Sequence, residues 1–166
     1  MPCSAFLDNR KIASGEPAEV LVKMRELLAA DPGARALVFD DETGELVDFD
    51  APPKKPGRPK LGVVAREVTL LPRHWEWLAD QPGGASVALR KLVEHARKAN
   101  AGVDRRRRAQ EAAYRFLSAM AGDEPGFEEA TRALFAGRRE DFEANMALWP
   151  EDVREHARKL GRAIDE

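Results

Sequence analysis

The sequence holds a single cysteine, Cys3, so no disulfide can form within the chain, and a disulfide-stapled secreted scaffold is excluded. No apolar run approaches the roughly 18 residues that a membrane-spanning helix needs, which excludes an integral helical membrane protein. The opening stretch, MPCSAFLDNRKIASG, has no basic segment followed by an apolar one. No secretory signal is therefore expected, and the cytoplasm is the expected compartment. Gly and Pro, 12 and 11 residues, follow no period, which excludes collagen-like and low-complexity classes. Signatures of enzymes are lacking as well. His74, His95 and His156 are far apart and form no HExxH or other metal-spaced pair, and no glycine loop of the P-loop or dinucleotide type is present. Cys3 has no histidine near it in sequence to activate it. The expectation is a protein without catalytic residues, cofactor or metal.

What the chain does have is enough apolar material for a core: 43% of 166 residues, a length that suits one compact domain or two very small ones. Its net charge of −2 conceals a strong segregation. Residues 1–50 carry five basic groups against eleven acidic, residues 51–110 fourteen against five, and residues 111–166 eight against thirteen. A basic middle between acidic ends fits a protein that binds a polyanion. It equally fits a chain whose oppositely charged parts dock on one another or on a neighbour.

Local patterns give an order of elements. Ala5-Phe6-Leu7 and Lys11-Ile12-Ala13 read as a hairpin turning at Asp8-Asn9. Ser14 is placed to cap a helix over 17–30, with Pro17 in its first turn and Val20, Met24, Leu27 and Leu28 at helical spacing. Ala36–Phe39 and Glu45–Phe49 read as two further strands turning near Thr43-Gly44. Residues 51–63, APPKKPGRPKLGV, form an extended basic linker, because four prolines continue neither helix nor sheet. Residues 64–71 return to β-type composition. Pro72 opens a short helix, Gln81-Pro82-Gly83-Gly84 breaks it, and Ser86 is placed to cap a second helix that Ala101-Gly102 ends. Helices are expected over 105–121, 127–135, 142–149 and 150–164.

The linker centre, Lys54-Lys55-Pro-Gly-Arg58-Pro-Lys60, resembles the core of an AT-hook, whose extended arginine lies in the narrow minor groove of A·T-rich DNA. It lacks a second arginine before the glycine, and a solvated basic linker is the plain alternative. The strand–helix–turn–helix order of residues 64–99 resembles a ribbon-helix-helix unit. In that family two chains pair their strands into one ribbon that enters the major groove, while the second helix offers backbone N–H groups to a phosphate. The resemblance implies a ribbon over 66–71 with Arg66 and Thr69 as its polar contacts, and Ser86 at the phosphate. It departs from the pattern in that Glu67 would repel phosphate and neither alternating face is fully polar. The alternative is a β-α-α unit whose strand joins another sheet of the same chain. Arg105–Arg108 is a further basic run, either a solvated helix face or a set of phosphate contacts. Asp40, Asp41 and Glu42 read as an acidic turn rather than a magnesium site, and Glu151, Asp152 and Glu155 as surface partners around His156. Trp75, Trp77 and Trp149 read as core or interface.

Taken whole, the chain resembles an uncharacterised bacterial family, domain of unknown function 2239. The residues that carry this are 58–78, RPKLGVVAREVTLLPRHWEWL, then Gln81–Ser86, with Val47-Asp-Phe-Asp and Trp149-Pro. The resemblance implies no activity or cofactor. It does imply that linker and β-α-α segment belong together.

The expected architecture is α+β: an acidic ββαββ module over 1–50, a basic linker over 51–63, a ribbon-helix-helix-like unit over 64–102 and an all-helical region over 103–166. The expected function is non-enzymatic DNA binding as a homodimer, regulatory or nucleoid-associated, through Lys54, Lys55, Arg58, Lys60, Arg66, Thr69 and Ser86. The competing expectation is a protein-interaction adaptor in which the basic middle docks acidic modules.

Overall fold

Alternating side chains on a short central strand organise the first part of the fold. In the computed structural model, residues 2–30, 36–48, 64 and 66–164 are described. Strands β1 (Cys3–Leu7), β2 (Arg10–Gly15) and β3 (Ala36–Asp40) make an antiparallel sheet in the order β2-β1-β3, with helix α1 (Pro17–Ala30) between β2 and β3 in sequence. The β1–β2 hairpin closes through Asp8 at φ 52°, a left-handed position that aspartate tolerates better than most residues. Cys3 and Ala5 face one side of the sheet and join Val20 of α1 and Val38 of β3 in a small core, with Met24 packed against it. Ser4 and Phe6 face the other side. In register, Ala5 pairs with Val38 and Phe6 with Leu37, so both strands present the same alternation. An irregularity between Ala5 and Phe6 leaves Ile12 without a direct partner on β1.

The larger core lies on the Phe6 side. Helices α4 (Ala101–Met120), α5 (Phe127–Phe135), α6 (Arg139–Asn145) and α7 (Glu151–Leu160) supply Phe116, Leu117, Leu134, Phe142 and Val153, and the segments after α6 and α7 add Met146, Trp149 and Ile164, which together cover Phe6 and Phe39. Phe39 and Phe116 meet edge to face at 4.9 Å, and Phe6 sits 5.3 Å from Phe116. Burying each such ring contributes about 2–3 kcal/mol. Trp149 is buried and its indole N–H donates to the Pro125 carbonyl at 2.8 Å, so this tryptophan is core. Gln110, buried on α4, donates to the carbonyls of Leu134 and Phe135 at the end of α5, satisfying groups that a helix C-terminus leaves open. Residues Met1–Ala51 and Gly102–Glu166 thus form one compact unit, and Pro52–Ala101 forms a second. Within the second, α2 (Pro72–Ala79) packs on α3 (Gly84–Ala99) through Leu78 and Ala88.

Several local expectations are corrected. The strand expected over 45–49 reduces to a single bridge, Phe39 to Leu46, with the Val47 N–H donating to the Val38 carbonyl. Leu46 is exposed there, so the segment lacks the buried face that would extend the pairing. Ser14 is a β2 residue opposite Ser4 rather than a cap. Pro17 occupies the first position of α1, which makes Glu16 the residue before it, and the Glu16 carbonyl accepts from Glu19 and Val20. Ser86 is the third residue of α3, not its cap: Gly83 takes that place at φ 88°, a conformation glycine adopts freely, and the helix begins two residues earlier. Gly102 lies inside α4, the break falling at Asn100. The helix expected over 142–149 starts at Arg139, with Glu140 and Asp141 in its first turn, and stops before Met146.

The turn after β3 is tightly built. The Asp40 carboxylate accepts from the N–H groups of Glu42 and Thr43 at 2.8 Å each, which gives this acidic turn a structural role. Gly44 follows at φ 66°, so close to α4 that a Cβ there would sit 2.1 Å from the Ala112 carbonyl oxygen. Arg115 donates to the Thr43 carbonyl from the same helix.

Candidate functional site

In the Pro52–Ala101 unit, the chain approaches α2 through residues 66–71, which belong to no strand among the described residues, with Leu71 in extended conformation before the helix. Among the described residues the sheet consists of β1, β2 and β3, and residues 66–71 do not join it. Leu70 turns inward and lines an apolar groove of about 290 Å³ with His74, Trp77, Leu78, Leu89 and Leu92. Around it an unusual amount of apolar surface stays in solvent: Trp77 is 52% exposed, Val93 63%, and Val68, Leu71, Trp75 and Leu92 are exposed too. The unit carries ten basic residues against four acidic, a net charge of +6. On α3, Arg97 and Lys98 pair with Glu94 at 2.9 and 3.7 Å, while Arg90 and Lys91 are exposed.

Of the residues expected to touch DNA, Lys54, Lys55, Arg58 and Lys60 lie outside the described residues. Arg66 and Thr69 are exposed in the segment before α2, and Ser86 is exposed in the first turn of α3. Among the described residues no hydrogen bond or ion pair connects these three. Within the segment Leu70 lines the groove, while Arg66, Glu67, Val68, Thr69 and Leu71 are all exposed.

Sequence reasoning missed a second cluster, in the Met1–Ala51 and Gly102–Glu166 unit. His156, 1% exposed, lies against the rings of Phe116 and Phe6, at 4.6 and 5.3 Å. Its Nε2 is 3.7 Å from Oδ1 of Asp41, and among the described residues neither ring nitrogen nor that oxygen has a hydrogen-bond partner. The other Asp41 oxygen accepts from Lys159 Nζ at 2.6 Å. Burial drives the His156 pKa down to about 4, with the charges of Lys159 and Lys11 adding to the effect and Asp41 opposing it. Of the acidic residues near His156 in sequence, Asp152 accepts from the Lys11 backbone N–H at 2.7 Å. The only sequence signal for this cluster is that His156 and Lys159 stand three apart on α7 and so share a face, and nothing local points to Asp41.

Asp41 and Lys159 also line a cleft of about 720 Å³. Arg105 and Arg108, three apart on α4, reach it from one side, and Arg162 and Glu42 complete its charged lining. The basic run of α4 is therefore divided: Arg107 pairs with Asp104 at 3.0 Å, whereas Arg105 and Arg108 address the cleft. Among the described residues no three His, Cys, Asp or Glu side chains converge as a metal site.

A three-stranded sheet enclosed by helices, with a basic helix pair set into the chain as a separate unit, defines an α+β protein of mostly helical content. Among the described residues no helix is long and apolar enough to cross a membrane. The chain belongs to the family described as an uncharacterised protein conserved in bacteria, domain of unknown function 2239, whose model matches residues 2–52 and 50–161. No curated protein and no solved structure matches it.

Proposed function

We propose that this is a cytoplasmic, non-enzymatic DNA-binding protein that acts as a homodimer, with the Pro52–Ala101 unit as its reading head. One observation carries the reading: residues 66–71, which pair with no strand among the described residues, lead into a helix pair whose apolar face stays exposed. A second copy satisfies both deficits at once. Pairing residues 66–71 of two chains antiparallel is a two-fold, self-complementary contact, and it brings Val68 on the side away from Thr69 toward the exposed Trp77.

In such a dimer the outward side of the ribbon carries Thr69, which meets base edges. Ser86 and the first N–H groups of α3 meet a phosphate. Lys54, Lys55, Arg58 and Lys60 supply the salt-sensitive part of the affinity, with Arg58 in the minor groove. Four such cations per chain give a slope of log K against log salt of about −3.6. Transcriptional regulation or nucleoid organisation is the corresponding role.

The test pairs sedimentation equilibrium with fluorescence anisotropy on A·T-rich and G·C-rich duplexes across a salt series. A dimer that binds duplex, becomes monomeric with Trp77→Lys, and loses A·T preference with Arg58→Ala supports the reading. A monomer that binds no duplex at low salt refutes it and leaves the adaptor role.

A further inference from the structure

We infer that the apolar groove between α2 and α3 binds a small aromatic carboxylate. The inference rests on the groove alone, within the Pro52–Ala101 unit, and holds whether or not the chain binds DNA. The groove measures about 290 Å³, the small end of ligand sites, with room for a mono- or bicyclic ring and little more. Its lining is Leu70, Leu78, Leu89 and Leu92, the Trp77 indole and a single polar side chain, His74. A ring seated there meets the indole and the leucines, and the contact removes apolar surface of both partners from water.

The charged rim selects what the ring carries. On α2, Arg73 precedes Trp77 by four residues, and on α3, Arg90 precedes Val93 by three, so each borders the apolar face of its helix. Both are exposed and, among the described residues, in no ion pair. Arg97, the other cation beside that face of α3, is already held by Glu94 through hydrogen bonds of 2.9 and 3.1 Å. Of the acids on α2 and at its end, Asp80 stands three residues beyond Trp77, whereas Glu76, two beyond His74, falls on the other side of the helix. Arg66 and Glu67 cancel one another at the start of the segment before α2. Two guanidinium groups against one carboxylate leave a single positive charge at the rim, which a monoanion matches. A carboxylate also fits the planar donor fork of a guanidinium, and the His74 ring offers a further N–H.

The experiment is calorimetric titration of the full chain with 1-naphthylacetate and 3-phenylpropanoate, with 1-naphthylacetamide as the uncharged counterpart and acetate as the charge without a ring. The expected result is binding of at least one aromatic carboxylate, binding of the amide weaker by about fivefold, and no binding of acetate. Arg73→Ala and Arg90→Ala are each expected to weaken the carboxylate about two- to fivefold and to leave the amide unchanged. Leu92→Glu puts a carboxylate on the groove wall and is expected to abolish binding. Leu92 is 48% exposed, so the melting temperature without ligand stays that of the wild type; should it fall, the two arginine variants carry the test. Failure of both aromatic carboxylates to bind overturns the inference, as does an amide that binds as tightly as its acid, or binding that survives all three substitutions. A chain that dimerises and binds duplex yet takes neither carboxylate overturns this inference and leaves the DNA-binding reading standing. Carboxylate binding by a chain that binds no duplex does the reverse.

Discussion

Lowering the pH from 7 to 4 tests the burial of His156 with little ambiguity, because one side chain dominates the expected change. In the unfolded chain this histidine titrates near 6.5; in the native state it stays neutral until about pH 4. Between those values the unfolded state binds a proton that the native state refuses, so native stability is lost as pH falls through the window and is fully present above it. Each pH unit there is worth about 1.4 kcal/mol, and the whole span about 3 kcal/mol. That is a large share of the 5–15 kcal/mol typical of a domain, which the rings of Phe6 and Phe116 around the imidazole account for. The assay is urea unfolding at half-unit pH intervals for the wild type and for His156→Leu, a change of similar volume that removes the titration. Carboxylates elsewhere affect both curves alike and cancel in the difference. At pH 7 the variant is expected to match or exceed the wild type, because two ring nitrogens without partners are replaced by apolar surface. By pH 4 its advantage is expected to have grown by about 3 kcal/mol. Parallel curves would refute the reasoning, showing that the imidazole protonates in place, stabilised by Asp41.

Gly44→Ala forces a methyl group onto the Ala112 carbonyl at a left-handed backbone position, and is expected to cost about 3 kcal/mol or more by chemical denaturation. Gln110→Ala strips the donors from the Leu134 and Phe135 carbonyls; an expected loss of about 2 kcal/mol, with the unfolding cooperativity unchanged, checks that bond pair. Cys3 is 2% exposed, and burial together with the charges of Asp40 and Asp41 raises its pKa. It is expected to resist a thiol reagent in the native protein and to react fully in urea, so labelling rate reports the opening of β1.

The elements set by local chemistry are the ones legible in the sequence. The β1–β2 hairpin, α1 over Pro17–Ala30, the Pro72 start of α2 and α5 over Phe127–Phe135 all follow from spacing, turn residues and proline. Boundaries failed where two signals competed. At Ser14 and Ser86 a favourable capping side chain was outweighed by a neighbouring proline or glycine that fixes the backbone more strongly. The strand at 45–49 had the right composition, yet composition does not reveal which face will be covered, and Leu46 finds no cover.

Sites formed across long sequence separation are illegible for a different reason. Asp41 and Lys159 meet only because Phe6 and Phe39 on the sheet require Phe116 and α7 to close over them; the ion pair is a consequence of apolar packing. The same closure places Arg105 and Arg108 beside Arg162, turning part of what reads as a uniform basic run into one wall of a cleft. In the Pro52–Ala101 unit the logic runs the other way. There the local pattern was legible, and what the fold adds is a deficit, a segment in no strand among the described residues and apolar helix faces without cover.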